Sequence, residues 1–201
     1  LHAPEYGITE ETEVTSDMII ELVTRYLNAP KYSQYYFCRD PSRQSFDEGI
    51  QIEMLEEELE DYNIEKLPNG KLTVTGGLIS NDKNDIPLDQ TSRSIDVQII
   101  SPKNNFFYGF VKYSNPIGSV TSSLQPGEGF SFLNECIEYI KNPINPKNHF
   151  FFLQVDGTAG EKEIPKMLEH ISDHDHIFAG NTTDIIKWIL NKESQNLSKD
   201  I

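Results

Sequence analysis

In the stretch SRSIDVQIISPKNNFFYGFVKYSN, residues 92–115, a carboxylate (Asp96) lies near the start of one apolar run, and an ammonium (Lys112) lies near the end of the next. The two runs read as strands joined at Pro102-Lys103-Asn104. Alternate strand residues share a face, so Tyr108, Phe110 and Lys112 point one way. If Ile95, Val97 and Ile99 are buried behind the hairpin, Asp96 points with Gln98 and Ile100 and converges with Lys112 at one edge. A carboxylate so placed can hold Mg²⁺ or Mn²⁺ through oxygen, and the metal polarises a phosphate and lowers the pKa of bound water. A lysine beside it can orient the attacking water and offset the charge that develops. That is the chemistry of phosphodiester hydrolysis. The same two residues also read as an ordinary ion pair or as solvated groups at a sheet edge.

Several elements must position this pair. DMIIELVTRYL has helical periodicity through Ile20, Leu22, Val23 and Leu27, with Ser16 or Asp17 as its cap and Pro30 as its stop. The loop KYSQYYFCRDPSRQ follows, and a second helix is expected from about Phe46 to Tyr62. KLPNGKLTVTGG reads as strand, turn and strand around Asn69-Gly70. Beyond the hairpin, GFSFLNECIEYIK is an amphipathic helix and HFFFLQVDG a buried central strand. EKEIPKMLEHI is a helix with Pro165 in its first turn, HIFAGN a short strand, and TTDIIKWILNK a last helix capped by Thr182 or Thr183. This order predicts an α/β protein with a mixed sheet between helices. The organisation expected is an N-terminal helix and basic aromatic loop over 1–44, a core over 45–193 and a tail over 194–201.

On these residues the chain resembles the PD-(D/E)xK nuclease superfamily, and within it the type II restriction endonucleases. The family pattern is an Asp on one strand and Glu-x-Lys on the next; Asp96 in SID and Lys112 in FVKYS match its first and last members. The polar loop NPIGSVTSS, the strand FFFLQVDG and the segment IFAGNTTDIIKWI resemble the parts that follow in the family, so the likeness runs from about Ser45 to Leu190 in order of elements. It implies a restriction-endonuclease-like three-layer sandwich. It also implies a Mg²⁺- or Mn²⁺-dependent endonuclease acting on double-stranded DNA, with Asp96 and Lys112 catalytic and a homodimer matching a two-fold site.

Where the family has Glu, this chain has Phe110. A carboxylate from the preceding helix can take its place. Glu48 shares a stripe with Ile52, Leu55, Leu59 and Tyr62, which makes it the acid expected to face the sheet and bind metal beside Asp96, with Asp47 as fallback. Glu53, Glu56, Glu57 and Glu60 fall on the solvent side.

The net charge of −15 argues against a general nucleic-acid binder, because a duplex repels acidic surface. Charge is unevenly spread, however: Glu53–Glu65 holds seven acids and no base, while Arg25, Lys31, Arg39 and Arg43 face Asp40 alone over 25–44. Lys31, Arg39 and Arg43, interleaved with Tyr32, Tyr35, Tyr36 and Phe37, are the expected DNA contacts. Those rings serve equally as core aromatics flanked by surface cations. His170, His174 and His176 have zinc- or nickel-ligand chemistry, but they span a helix end, a turn and a strand, which favours a solvated polar turn. Asp156 before Gly157 reads as a turn residue. Gly127 and Gly129 lack the Gly-Lys-Ser/Thr of a phosphate loop. Two distant cysteines, Cys38 and Cys136, and an opening LHAPEYG without signal-peptide character point to a cytoplasmic protein or an excised domain. Two other classes compete: a nuclease-like fold without catalysis, used as a DNA- or protein-binding module, and an acidic inhibitor whose carboxylates imitate phosphates.

Overall fold

The computed structural model describes residues 20, 24, 44–81, 93–113, 127–157 and 160–195, without the side chains of 44–48 and 113. The chain divides into two compact units, Leu1–Arg43 and Gln44–Ile201. In the first, Ile20 and Thr24 are helical, as the periodicity of DMIIELVTRYL predicts, and the Thr24 hydroxyl donates to the Ile20 carbonyl (2.7 Å).

The second unit begins with α1 (Gln44–Glu58). Ile52, Leu55 and Leu59 are buried while Glu53, Glu56, Glu57 and Glu60 are exposed, as the apolar stripe requires. The helix stops at Glu58, short of Tyr62, because β1 (Asn63–Lys66) follows at once. Next come β2 (Thr73–Thr75), β3 (Leu78–Ser80), β4 (Arg93–Ser94), β5 (Val97–Ile100) and β6 (Phe106–Tyr113). Then α2 (Glu128–Lys141), β7 (His149–Asp156), a 3₁₀ turn at Glu161–Glu163, α3 (Ile164–His170), β8 (Ile177–Gly180) and α4 (Thr182–Gln195) complete the unit.

Five strands make a mixed sheet in the order β1-β5-β6-β7-β8. The pairs β1·β5 and β5·β6 are antiparallel, and β6·β7 and β7·β8 are parallel. The expected hairpin is present as β5 and β6, turned through Asn104 at φ 60°, a conformation that asparagine tolerates better than most residues. Residues 93–94, however, belong to a separate three-stranded sheet, β3-β2-β4. Asn69-Gly70 does turn the chain, with Gly70 at φ 74°, but its flanking strands do not pair with each other: β1 joins the large sheet and β2 the small one. The tight hairpin of that region is β2–β3, where Gly76 and Gly77 both adopt positive φ.

Each face of the large sheet buries its own core. Ile52 and Leu55 of α1, Leu59 just after it, and Ile185 and Ile189 of α4 cover Val97, Ile99, Phe107, Val111 and Phe152 on one face. On the other, Phe132, Leu133 and Cys136 of α2 and Met167 of α3 cover Tyr108, Phe110, Phe151, Leu153 and Val155. Gly109, on the α1 face between Val97 and Phe152, has no room for a side chain: a Cβ there would lie 2.3 Å from the Phe152 ring and 2.6 Å from Val97. The last helix is capped by Asn181 rather than Thr182 or Thr183; its side-chain oxygen accepts the Asp184 N–H (3.0 Å). Among the described residues no helix is long and apolar enough to cross a membrane.

Candidate active site at one end of the sheet

Asp96 stands just before β5, and hydrogen bonds on its carbonyl, its N–H and its carboxylate hold it. Its carbonyl accepts the Leu67 N–H, its N–H donates to the Gly109 carbonyl (both 2.8 Å), and Oδ2 accepts the Val111 N–H (2.9 Å). The carboxylate thus occupies a place in the β5–β6 ladder that a main-chain carbonyl would fill. The alternation expected for this strand breaks here: Ile95 packs with the α2 face and Val97 with the α1 face. The chain turns over at Asp96, so Ile95 does not share a side with Val97 and Ile99.

Lys112, next to Val111, lies on the Phe110 face, with Nζ 4.7 Å from the Phe110 ring centroid. Phe110 is itself buried and stacked on Phe132 at 5.2 Å and 23°. The residue in the expected Glu position therefore supplies an aromatic face to the ammonium, an interaction of about 0.5–2 kcal/mol. Register sets the two residues on neighbouring strands: Val97 opposes Gly109, Asp96 bonds to Val111, and Lys112 is the following residue.

At the same end a second polar group forms where β6 and β7 finish. Gln51, buried on α1, donates through Nε2 to the Lys112 carbonyl (3.2 Å) and to Asp156 Oδ2. Asp156 also accepts the Thr182 N–H on Oδ1 (3.0 Å) and the Thr182 hydroxyl on Oδ2 (2.6 Å). Gln154 Nε2 donates to Thr182 Oγ1 (2.7 Å). Because its Nε2 faces two acceptors, the Gln51 amide can be oriented only one way. That leaves Gln51 Oε1 buried without a donor, and Gln154 Oε1 is in the same state. Sequence reading missed Gln51 and took Asp156 for a turn residue. The available signal was a lone amide between Ile50 and Ile52, four residues before the buried Leu55.

Glu48 and Asp47 lie within α1, but their side chains are outside the described residues, as are Lys31, Arg39 and Arg43 altogether. The three clustered histidines do not converge. His170 meets Asn134 Oδ1 (2.8 Å), whereas His176 Nδ1 donates to the His149 carbonyl (3.0 Å) and its ring stacks on Phe150. Among the described residues, no group of three or more His, Cys, Asp or Glu side chains could hold a metal ion. Compared with protein-family models, curated proteins and solved structures, the chain matches none.

Proposed function

We propose that this chain is a metal-dependent endodeoxyribonuclease of restriction-endonuclease-like fold, hydrolysing phosphodiester bonds of double-stranded DNA. One observation carries the reading. A helix, an antiparallel set β1-β5-β6, a helix and a parallel β7 follow in order, with Asp96 opening the second strand of the set and Lys112 near the end of the third. That order of elements, with the two residues on neighbouring strands, is what supports the reading.

The donor chemistry suits magnesium, which is commonly held by one or two carboxylates, with water and substrate phosphate completing its shell. Asp96 is one such carboxylate and Glu48 is assigned as the second. Bound there, the ion would polarise the scissile phosphate and acidify water. Lys112, steadied over Phe110, orients the nucleophile and counters the negative charge of the transition state. Phe110 excludes water from beneath the ammonium. DNA contact through Lys31, Arg39 and Arg43, a homodimer and a cytoplasmic setting belong to the same proposal.

The test is cutting of diverse duplex DNA with Mg²⁺ or Mn²⁺. EDTA stops it, and Asp96→Ala or Lys112→Ala each lowers the rate by about 10² or more. Undiminished cutting by Lys112→Ala overturns the mechanism. A second reading, a nuclease-like binding module without catalysis, is favoured by one specific observation: Phe110 is buried against Phe132 where the family carboxylate is expected. DNA binding without cutting, and without any response to Mn²⁺, selects that reading.

A further inference from the structure

We propose that Arg93 is a DNA-phosphate contact, holding the backbone a few nucleotides away from the phosphodiester bond at Asp96 and Lys112. The inference rests on the nuclease reading and deepens it, adding a contact that the resemblance does not supply.

The guanidinium is out of keeping with its surroundings. In a chain with 32 acids against 17 lysines and arginines, a cation readily finds a carboxylate. Lys71, Lys141 and Lys166 do so, with Glu65, Glu138 and Glu163. Arg93 does not: among the described residues no acid pairs with it, and its Nε is buried without a hydrogen-bond partner. Arginine cannot shed its charge as a buried lysine can, so burying that N–H has a cost that deprotonation does not relieve. An arginine that merely snorkels buries its carbons and keeps its nitrogens in water. An aliphatic side chain at position 93 would avoid the cost altogether.

Its place follows from strand register. Arg93 opposes Val74 across the β2–β4 pair, and cross-strand partners share a face. Val74 belongs to the core beneath α2, as does Ile95 two residues further on. Arg93 therefore starts on the α2 side, half-buried at the head of β4, which packs against α2. Lys112 is on that side too, over Phe110 and next to its stack with Phe132. From Arg93 to Asp96 is three residues, about 10 Å of extended chain. One strand of B-DNA advances about 3.4 Å per phosphate, so phosphates a few nucleotides from a bond at Lys112 come within reach of position 93. With Nε turned inward, the two Nη groups are left to grip phosphate oxygens side by side. The backbone would supply the anion that the protein itself does not.

Fluorescence anisotropy of a labelled duplex of mixed sequence, titrated with the whole chain at several salt concentrations and with EDTA present, tests this. Arg93→Met should bind about five- to tenfold more weakly near 0.1 M salt. It should also flatten the slope of log K against log salt by about 0.9, the share of one phosphate. Its Tm should hold or rise, because the bare guanidinium is gone. Arg93→Lys keeps the charge and should retain the slope. Lys166→Met removes an ammonium already taken by Glu163 and should leave the slope nearly unchanged, separating contact from net charge. An unchanged slope in Arg93→Met overturns the inference and leaves the nuclease reading intact. So does an equal loss of slope in Arg93→Lys or Lys166→Met. A lower Tm in Arg93→Met makes Arg93 a structural residue and overturns the inference as well. A wild-type chain that binds no duplex overturns the nuclease reading and this inference together.

Discussion

The two ends of the large sheet are built from similar polar residues and satisfy them differently. Where β6 and β7 begin, donors meet acceptors: Asn105 Nδ2 donates to Glu193 Oε1 (2.6 Å), Lys103 Nζ reaches the Glu193 carbonyl, and the Tyr139 hydroxyl meets His149 Nδ1 at 2.6 Å. Aromatic rings close around that end, with Phe106, Tyr108 and Tyr139 all within 6 Å of the His149 centroid. Burial pushes the Tyr139 phenol up to about 12 and the His149 imidazole down, so both stay neutral near pH 7. Where β6 and β7 finish, a lysine rests on a phenylalanine, a carboxylate stands in for a ladder carbonyl, and two buried amide oxygens have no donor. A fully satisfied buried network rigidifies its surroundings, whereas an unpartnered buried polar atom carries a desolvation cost. On the nuclease proposal, function belongs to the second end.

The comparison is most exposed to a variant that separates charge from hydrogen bonding at Asp96. Asp96→Asn retains an oxygen for the Val111 N–H but carries no charge. Cutting should fall by about 10² or more while stability changes by about 1 kcal/mol or less. A loss of stability as large as that of Asp96→Ala, with cutting retained, would make Asp96 a ladder residue and dissolve the difference between the ends.

At the opposite end the expected effect is on stability alone. Asn105→Ala leaves Glu193 Oε1 without its buried donor and should cost about 1–3 kcal/mol. In a domain of this size that is roughly 2–4 °C of Tm per kcal/mol. Neither the Mn²⁺ response nor cutting should move, and a change in either would spread function over both ends.

The smallest effect is a pH dependence. The folded pKa of His149 lies below its unfolded value of about 6.5, so between the two the unfolded chain binds more protons. Stability is full above pH 6.5 and declines as pH falls through the folded pKa. His149→Phe should flatten the fall of Tm in that window, measured by calorimetry from pH 7.5 to 5. An unaltered profile would show that this end is less sealed than its rings suggest.

Much of this was legible in sequence where the cue is local. The stripe Ile52, Leu55, Leu59 predicts which side of α1 is buried, and the continuous run in HFFFLQVDG predicts a strand covered on both faces. Asp96 and Lys112 lie on paired strands because the β5–β6 connection is short and its register follows from the turn. What was missed depends on distant partners. Strands of two or three residues, as in β3-β2-β4, carry too little pattern to reveal which sheet they join. The break in alternation at Asp96 arises because Ile95 also serves the small sheet's core; its N–H donates to the Leu72 carbonyl. Gln51 and Asp156 become partners only once α1 has docked, 105 residues apart in the chain. Thr182 looked like a cap, but its hydroxyl is taken by Asp156, and Asn181 does the capping instead.

The absent side chain at Gly109 acts as a key for strand pairing. The Phe152 ring fills the space above it from β7, and Val97 closes it from β5. Sliding β6 by one residue would turn its faces over, exposing what is now core. Sliding it by two would press Phe107 or Val111 into a gap with room for a hydrogen atom only. One alignment of the three strands is left, and it sets Asp96 beside Val111 and one step from Lys112. The spacing of the proposed catalytic pair is thus guarded by a residue that takes no part in the chemistry.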